Sequence, residues 1–258
     1  MTDDAAVWLY AVTRGPEPGG LAALSGVAGA PVRAVAAAGL VAVVSSVSSA
    51  EADEQQLRQN LEDLDWLAAT ARAHDAVVGA VTRSATTVPV RIATIYHDDD
   101  RIREMLTEHQ AAFSATVDLL TGRTEWGVKA FAASNGSDTS SGEAVSGESA
   151  GRAYLLRRRA QLRAREAAEH LAAGHADRVH AELGTLAVAA RRHPPQHSRL
   201  TGTRASMVLN AAYLVDDTSA DDFAATVKEL DEQRALLDLH LTGPWPPYSF
   251  SRIAEVSA

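Results

Sequence analysis

Residues 134–150 divide this chain. They read Ser-Asn-Gly-Ser-Asp-Thr-Ser-Ser-Gly-Glu-Ala-Val-Ser-Gly-Glu-Ser-Ala, with a single valine as the only sizeable apolar side chain. Such a stretch buries almost nothing, so ordering it loses conformational entropy without return. It reads as a flexible linker. The 258 residues are therefore expected to form two domains, residues 1–133 and 151–258, in keeping with a prior of roughly 100–200 residues per domain.

Each domain has to build its core from small side chains. Aromatic residues make up only 5% of the chain, against 46% hydrophobic residues in all. Alanine buries little area, so packing has to be close rather than bulky. Cysteine is absent, which removes disulfides, thiol nucleophiles and cysteine-ligated zinc. No apolar run approaches the ~20 residues of a membrane helix, and the acidic start Met1-Thr2-Asp3-Asp4 is not a basic secretory n-region. The expectation is a cytoplasmic protein without a membrane partner. A net charge of −9 argues against generic nucleic-acid binding, which needs a basic face. Basic charge gathers in one place, at Arg157, Arg158, Arg159, Arg163 and Arg165. On a helix this is a solvated face with Glu166 and Glu169 as neighbours, or else a site for a polyanion or an acidic partner.

The first domain opens with the apolar run Val7 to Val12, a buried strand by length and composition. Gly15 to Gly20 forces a loop. The runs Pro31 to Val35 and Leu40 to Val44 flank Gly39 as a hairpin. Between Glu51 and Ser84 the period becomes helical, with Leu57, Leu61, Leu64, Leu67, Ala71, His74, Val78 and Val81 forming a stripe. Val88 to Tyr96 reads as a strand, with Pro89 at its start or on an edge because proline cannot donate to a ladder. Asp98-Asp99-Asp100 introduces a helix carrying Ile102, Leu106, Phe113, Val117 and Leu120, ended by Gly122; Trp126 to Phe131 is again a strand.

In the second domain a helical region runs from about Arg152 to His193, weakened at Gly174 and Gly184 and stopped by Pro194-Pro195. Two helices or one bent helix are expected there. Arg204 to Val215 alternates as a strand or hairpin edge, Asp216 to Asp222 turns into a helix through Phe223, Val227, Leu230 and Leu237, and Leu239-His240-Leu241 is extended. Both halves read as α+β, each a mainly antiparallel sheet with helices packed on it.

The residues of catalysis do not assemble into a pattern. His170, His175 and His180 are five apart, about 140° beyond a full turn per step, so they do not share a helix face. Pro194-Pro195 interrupts His193 and His197. The acidic runs at 98–100 and 216–222 suit helix N-termini, where the dipole favours them, and the second lacks the glycine and terminal glutamate of an EF-hand. There is no P-loop, no dinucleotide fingerprint and no nucleophile elbow. His74 and Asp75 read as a helix-face pair. No metal or cofactor is indicated.

One segment stands out. Gly243-Pro244-Trp245-Pro246-Pro247-Tyr248-Ser249-Phe250 packs three prolines and three aromatics into eight residues. Proline fixes φ, so the backbone is stiff before anything binds. Pro244, Trp245, Pro246, Pro247, Tyr248 and Phe250 read as a terminal strand pinned on the domain with Trp245 buried, or as a preorganised protein-contact element, and both can hold at once. Arg157, Arg158 and Arg159 are the other protein-contact candidates.

The segment Leu241 to Phe250 resembles the C-terminal signature of the gas vesicle protein F/L family (GvpF/GvpL). Further pieces match in order: Trp8-Leu9-Tyr10, Gly39 to Ser45, His74-Asp75-Ala76-Val77-Val78, Val88 to Thr94, Glu125-Trp126-Gly127-Val128-Lys129, Tyr154-Leu155 and Asn210 to Val215. Ala93 stands where glycine is commoner in that family. The ordered set covers nearly the whole chain.

The resemblance implies two α+β domains, the second ferredoxin-like. It also implies a non-enzymatic part in gas vesicles: an accessory or minor structural protein that binds the hydrophobic shell subunit (the A protein), and other accessory proteins, and supports assembly. An apolar subunit needs its surface covered before assembly, or it aggregates. A different class of function, a ligand-sensing or catalytic ferredoxin-like protein, predicts a deep polar pocket. A nucleic-acid-binding factor using Arg157 to Arg165 predicts salt-sensitive DNA binding.

Overall fold

The opening apolar run lies within β1 (Ala5–Arg14), which pairs antiparallel with β3 (Leu40–Ser48); β3 in turn pairs with β2 (Val32–Ala37). The β2–β3 loop is the two-residue turn Ala38-Gly39, with φ of 51° and 76°. Of the common two-residue hairpin turns, type I′ has positive φ at both positions, which glycine adopts without strain. The register of β1 on β3 shifts between Leu9 and Ala11, so Tyr10 is the extra residue of a bulge. Its hydroxyl accepts from the Val27 amide at 2.7 Å and lies 2.7 Å from Ser45 Oγ.

This computed structural model describes residues 5–48, 54–133, 148–195, 206–233 and 236–251. The helical stretch after β3 is two helices, α1 (Glu54–Glu62) and α2 (Leu64–Thr82). Asp63 separates them, accepting from the amides of Asp65 and Trp66 as an N-cap. The buried stripe of α2 is Thr70, His74, Val77, Val78 and Val81; Leu64, expected in the stripe, is exposed because the helix restarts there. The expected strand over 88–96 is two short ones, β4 (Thr87–Pro89) and β5 (Ile95–Tyr96), both antiparallel to β1. Between them Ala93 has a φ of 63°, which bends the chain away from the ladder. The strand order β2-β3-β1-β4 puts Pro89 on an edge. Asp98 caps α3 (Asp99–Glu108) through the Arg101 amide, and Asp99 makes a two-pronged ion pair with Arg33 at 2.7 and 2.8 Å. A turn at His109 leads into α4 (Gln110–Leu120).

The second sheet has the order β7-β8-β6-β9, built from β6 (Arg123–Ala132), β7 (Ala189–Arg192), β8 (Met207–Asp216) and β9 (Leu237–Trp245). Two helices complete it: α5 (Glu148–Thr185) between β6 and β7, and α6 (Ala220–Gln233) between β8 and β9. Its core joins Val128, Leu209, Tyr213 and Phe223 to Ala172, Ala176, Val179 and Leu183 of α5. The helix runs through Gly174 without a break. It ends just past Gly184, and residues expected to prolong it to His193 form β7 instead, paired with β8 from Ala189–Leu214 to Arg192–Ala211. Alternating burial along β7 reflects strand geometry that a helical period concealed.

The chain does not divide at the polar stretch. One compact unit comprises residues 1–125 and 244–258, the other 126–243. Most of β6 therefore belongs to the second unit, where Val128 and Ala130 enter the core. The Pro/aromatic tail, expected to close the second domain, belongs to the first. A composition break marks where a loop is tolerated; burial decides which side of it a strand joins. Residues 134–147 of the expected linker lie outside the described residues, and 148–150 begin α5.

Candidate functional site

Two prolines turn the tail at the end of β9. After Trp245, Pro246 and Pro247 set a tight bend in which the amides of Tyr248 and Phe250 donate to the carbonyls of Pro246 (2.8 Å) and Pro247 (3.1 Å). The bend delivers two polar side chains to the first unit. The Tyr248 hydroxyl donates to Asp75 Oδ1 at 3.0 Å. Ser249 makes a double contact: its amide donates to Glu125 Oε2 at 2.8 Å and its hydroxyl to Oε1 at 2.7 Å. Glu125 is only 8% exposed, so its carboxylate is matched oxygen by oxygen. Pro247 is buried beside this clasp.

The Tyr248 ring joins the core cluster of the first unit, its centroid 6.5 Å from that of His74. His74 is buried on α2. Its Nδ1 accepts from the Trp8 indole N–H at 3.1 Å, which leaves Nε2 protonated to donate to the Val90 carbonyl at 3.2 Å. The Tyr10 ring lies 5.3 Å away on a third side. Burial pushes the His74 pKa below its ordinary value, against a smaller upward pull from the Val90 bond and the Asp75 charge. Burial likewise raises the Tyr248 hydroxyl, reinforced by the Asp75 carboxylate. Both groups are neutral at pH 7. His74, Asp75 and Glu125 are thus structural partners of the tail, which spacing alone does not reveal. The one sequence signal for them is their presence in the motifs that carry the family resemblance.

The tail splits into two functions. Pro246, Pro247, Tyr248 and Phe250 are wholly or partly buried and anchor it. Pro244 and Trp245 are exposed. Trp245 presents 52% of its surface, which excludes the reading with Trp245 buried: the neighbouring bend takes Tyr248 inward and leaves the indole outside. Arg157, Arg158 and Arg159 are on the exposed N-terminal part of α5 in the second unit.

Beside β1 the first unit also has a cleft of about 450 Å³ lined by Trp8, Trp66, Val27, Ala28, Ala73 and Ile95 among others. Its lining suits an apolar group and holds no acid–base pair. Among the described residues, no three His, Asp or Glu side chains converge as a metal site. No described helix is long and apolar enough to cross a membrane.

Residues 6–252 match the family described as gas vesicle synthesis protein GvpL/GvpF. Gas vesicle protein L of Streptomyces sp. (strain CB03234) is 41% identical over 99% of this chain and 96% of its own length. Gas vesicle protein F2 of Halobacterium salinarum is 27% identical over 70% of this chain and 68% of its own. The crystal structure of GvpF from Anabaena sp. PCC7120 superposes with a TM-score of 0.64 at 19% identity, covering 97% of each chain. GvpF from Microcystis aeruginosa gives 0.61 at 19% identity, over 96% of this chain and 99% of that one. These two likenesses concern the fold.

Proposed function

From membership of the GvpL/GvpF family of gas vesicle synthesis proteins, to which this chain belongs, we propose that it binds the hydrophobic gas vesicle shell subunit in the cytoplasm and supports vesicle assembly without catalysing a reaction. The observation that carries this reading is Trp245, half exposed on a backbone held by three prolines and by the Glu125–Ser249 clasp. A large aromatic on a pre-stiffened segment is what a protein-contact hot spot requires, because little entropy is lost when it is covered. Pro244 extends the same exposed surface. The apolar cleft beside Trp8 and Trp66 offers the first unit a second place for an apolar side chain.

The order β6-α5-β7-β8-α6-β9, with strand order β7-β8-β6-β9, supports a ferredoxin-like reading of the second unit. That fold hosts many functions, so it favours none of them. Co-expression of the tagged chain with a shell subunit tests the proposal. The subunit is expected to co-purify, and a chain that repeatedly emerges without it overturns the binding claim.

A further inference from the structure

The helix α5 is 38 residues long, yet among its described residues the buried side chains are Ala172, Ala176, Val179 and Leu183, all in its C-terminal half. Ahead of them Tyr154, Leu155, Leu156, Leu162 and Leu171 are each between 46 and 67% exposed. Soluble surfaces carry single apolar residues without consequence, but a run of them on one element marks an interaction site. The same stretch is strongly basic: from Arg152 to Arg165 there are six arginines and no acid, in a chain of net charge −9.

The two features are arranged together. Two of the five, Leu156 and Leu171, share a face with Ala160 and Ala167: at 100° per residue these four fall within an arc of about 60°, over a length of roughly 22 Å, while Tyr154, Leu155 and Leu162 lie off it. Arg159 and Arg163 border this seam on one side and Arg157 on the other. We infer that the seam docks an acidic amphipathic helix of a protein partner, whose apolar residues pack along it and whose Glu or Asp side chains meet the flanking arginines. A second copy of this chain fits poorly, because two such arms bring arginine against arginine. An anionic membrane also fits poorly: Leu155 and Leu162 project from the side opposite the seam, with Arg158 near them, whereas an interfacial helix keeps its apolar residues on one face. Nucleic acid gives the leucines nothing to cover.

This inference does not rest on the shell-subunit reading, which is assigned to Trp245. Its test is fluorescence anisotropy with the full chain at about physiological salt. The probe is a labelled four-heptad peptide with Leu at positions a and d and Glu at e and g. Comparators are the same peptide with Lys in place of Glu, vesicles of phosphatidylserine and phosphatidylcholine, and a short DNA duplex. The acidic peptide is expected to bind and the lysine peptide not. Charge reversal in Arg157→Glu/Arg159→Glu/Arg163→Glu, and separately Leu156→Ser/Leu171→Ser, is expected to weaken binding about tenfold or more with an unchanged melting temperature, since these side chains are exposed. No binding of the acidic peptide, insensitivity to both variants, tighter capture by vesicles or DNA, or a dimer of the free chain that these variants dissociate would each overturn it.

Discussion

The indole N–H of Trp8 donates to Nδ1 of His74 at 3.1 Å, and this bond decides which ring nitrogen carries the proton. A second proton on the ring abolishes the acceptor that Trp8 needs. The folded chain therefore holds His74 neutral, with its pKa pushed below the usual value by burial. The unfolded chain takes up a proton as pH falls through about 6.5, while the folded chain resists. Stability lost to this group thus grows as pH drops below about 6.5 and vanishes above it. Melting temperatures between about pH 7.5 and 5.5 should fall more steeply for the native chain than for His74→Gln; coincident slopes would assign the effect elsewhere.

The clasp on the tail predicts a graded response. Tyr248→Phe removes one hydrogen bond at a partly exposed site and is expected to cost about 0.5–1.5 kcal/mol. Glu125→Ala strips both Ser249 donors of their acceptor and is expected to cost about 2–3 kcal/mol. Urea denaturation gives the energies. Limited chymotrypsin digestion reads the local effect, with faster cleavage in the 245–250 segment of Glu125→Ala. Equal cleavage of the two variants and the native chain would mean that the clasp does not hold the segment.

Trp245→Ala separates contact from stability. The exposed indole should be removable within about 0.5 kcal/mol, yet the variant should capture markedly less shell subunit in a co-expression pull-down. A large loss of stability would return Trp245 to the core, and undiminished capture would remove it from the contact.

Gly26 is constrained by the bulge at Tyr10. A Cβ at Gly26 would overlap the Tyr10 hydroxyl, which is already engaged by the Val27 amide and Ser45. Gly26→Ala is expected to destabilise by about 1–3 kcal/mol. Gly19→Ala, with open space around it, serves as the neutral control in the same thermal melts.

Ala93 gives a prediction of the opposite sign. Its φ of 63° lies in the left-handed region, where a Cβ costs roughly 1 kcal/mol. Ala93→Gly relieves that strain and gives back part of it through greater freedom of the unfolded chain. A small rise in melting temperature is expected; a fall would show that the alanine methyl contributes packing worth more than the strain.

Ala93 also illustrates what a sequence can and cannot disclose. The family resemblance marks it as a place for glycine, and its positive φ is the physical reason. Patterns carried by many residues were legible: β1, the Ala38-Gly39 hairpin, the Asp98 cap and both sheets with their helices. Readings that depend on which of two surfaces a residue meets were not. The 189–192 stretch reads as helix because the ladder partner that makes it β7 is residues 211–214, distant in sequence. Trp245 and Tyr248 are both large aromatics among prolines, and only the bend at Pro246-Pro247 determines that the tyrosine goes in and the tryptophan stays out. His74 has the same local sequence whether exposed or buried; its burial depends on Trp8 and Val90, one on each side of it in the chain.

The first unit is interrupted: residues 126–243 are inserted between its main body and the segment that carries Pro247, Tyr248 and Ser249. During synthesis the ribosome therefore makes nearly all of this body early and must then translate an entire second unit before the missing piece emerges. Until then Glu125 has no Ser249 to meet and the ground beside His74 lies open to solvent. The body before residue 126, although synthesised ahead of the second unit, is completed only after it.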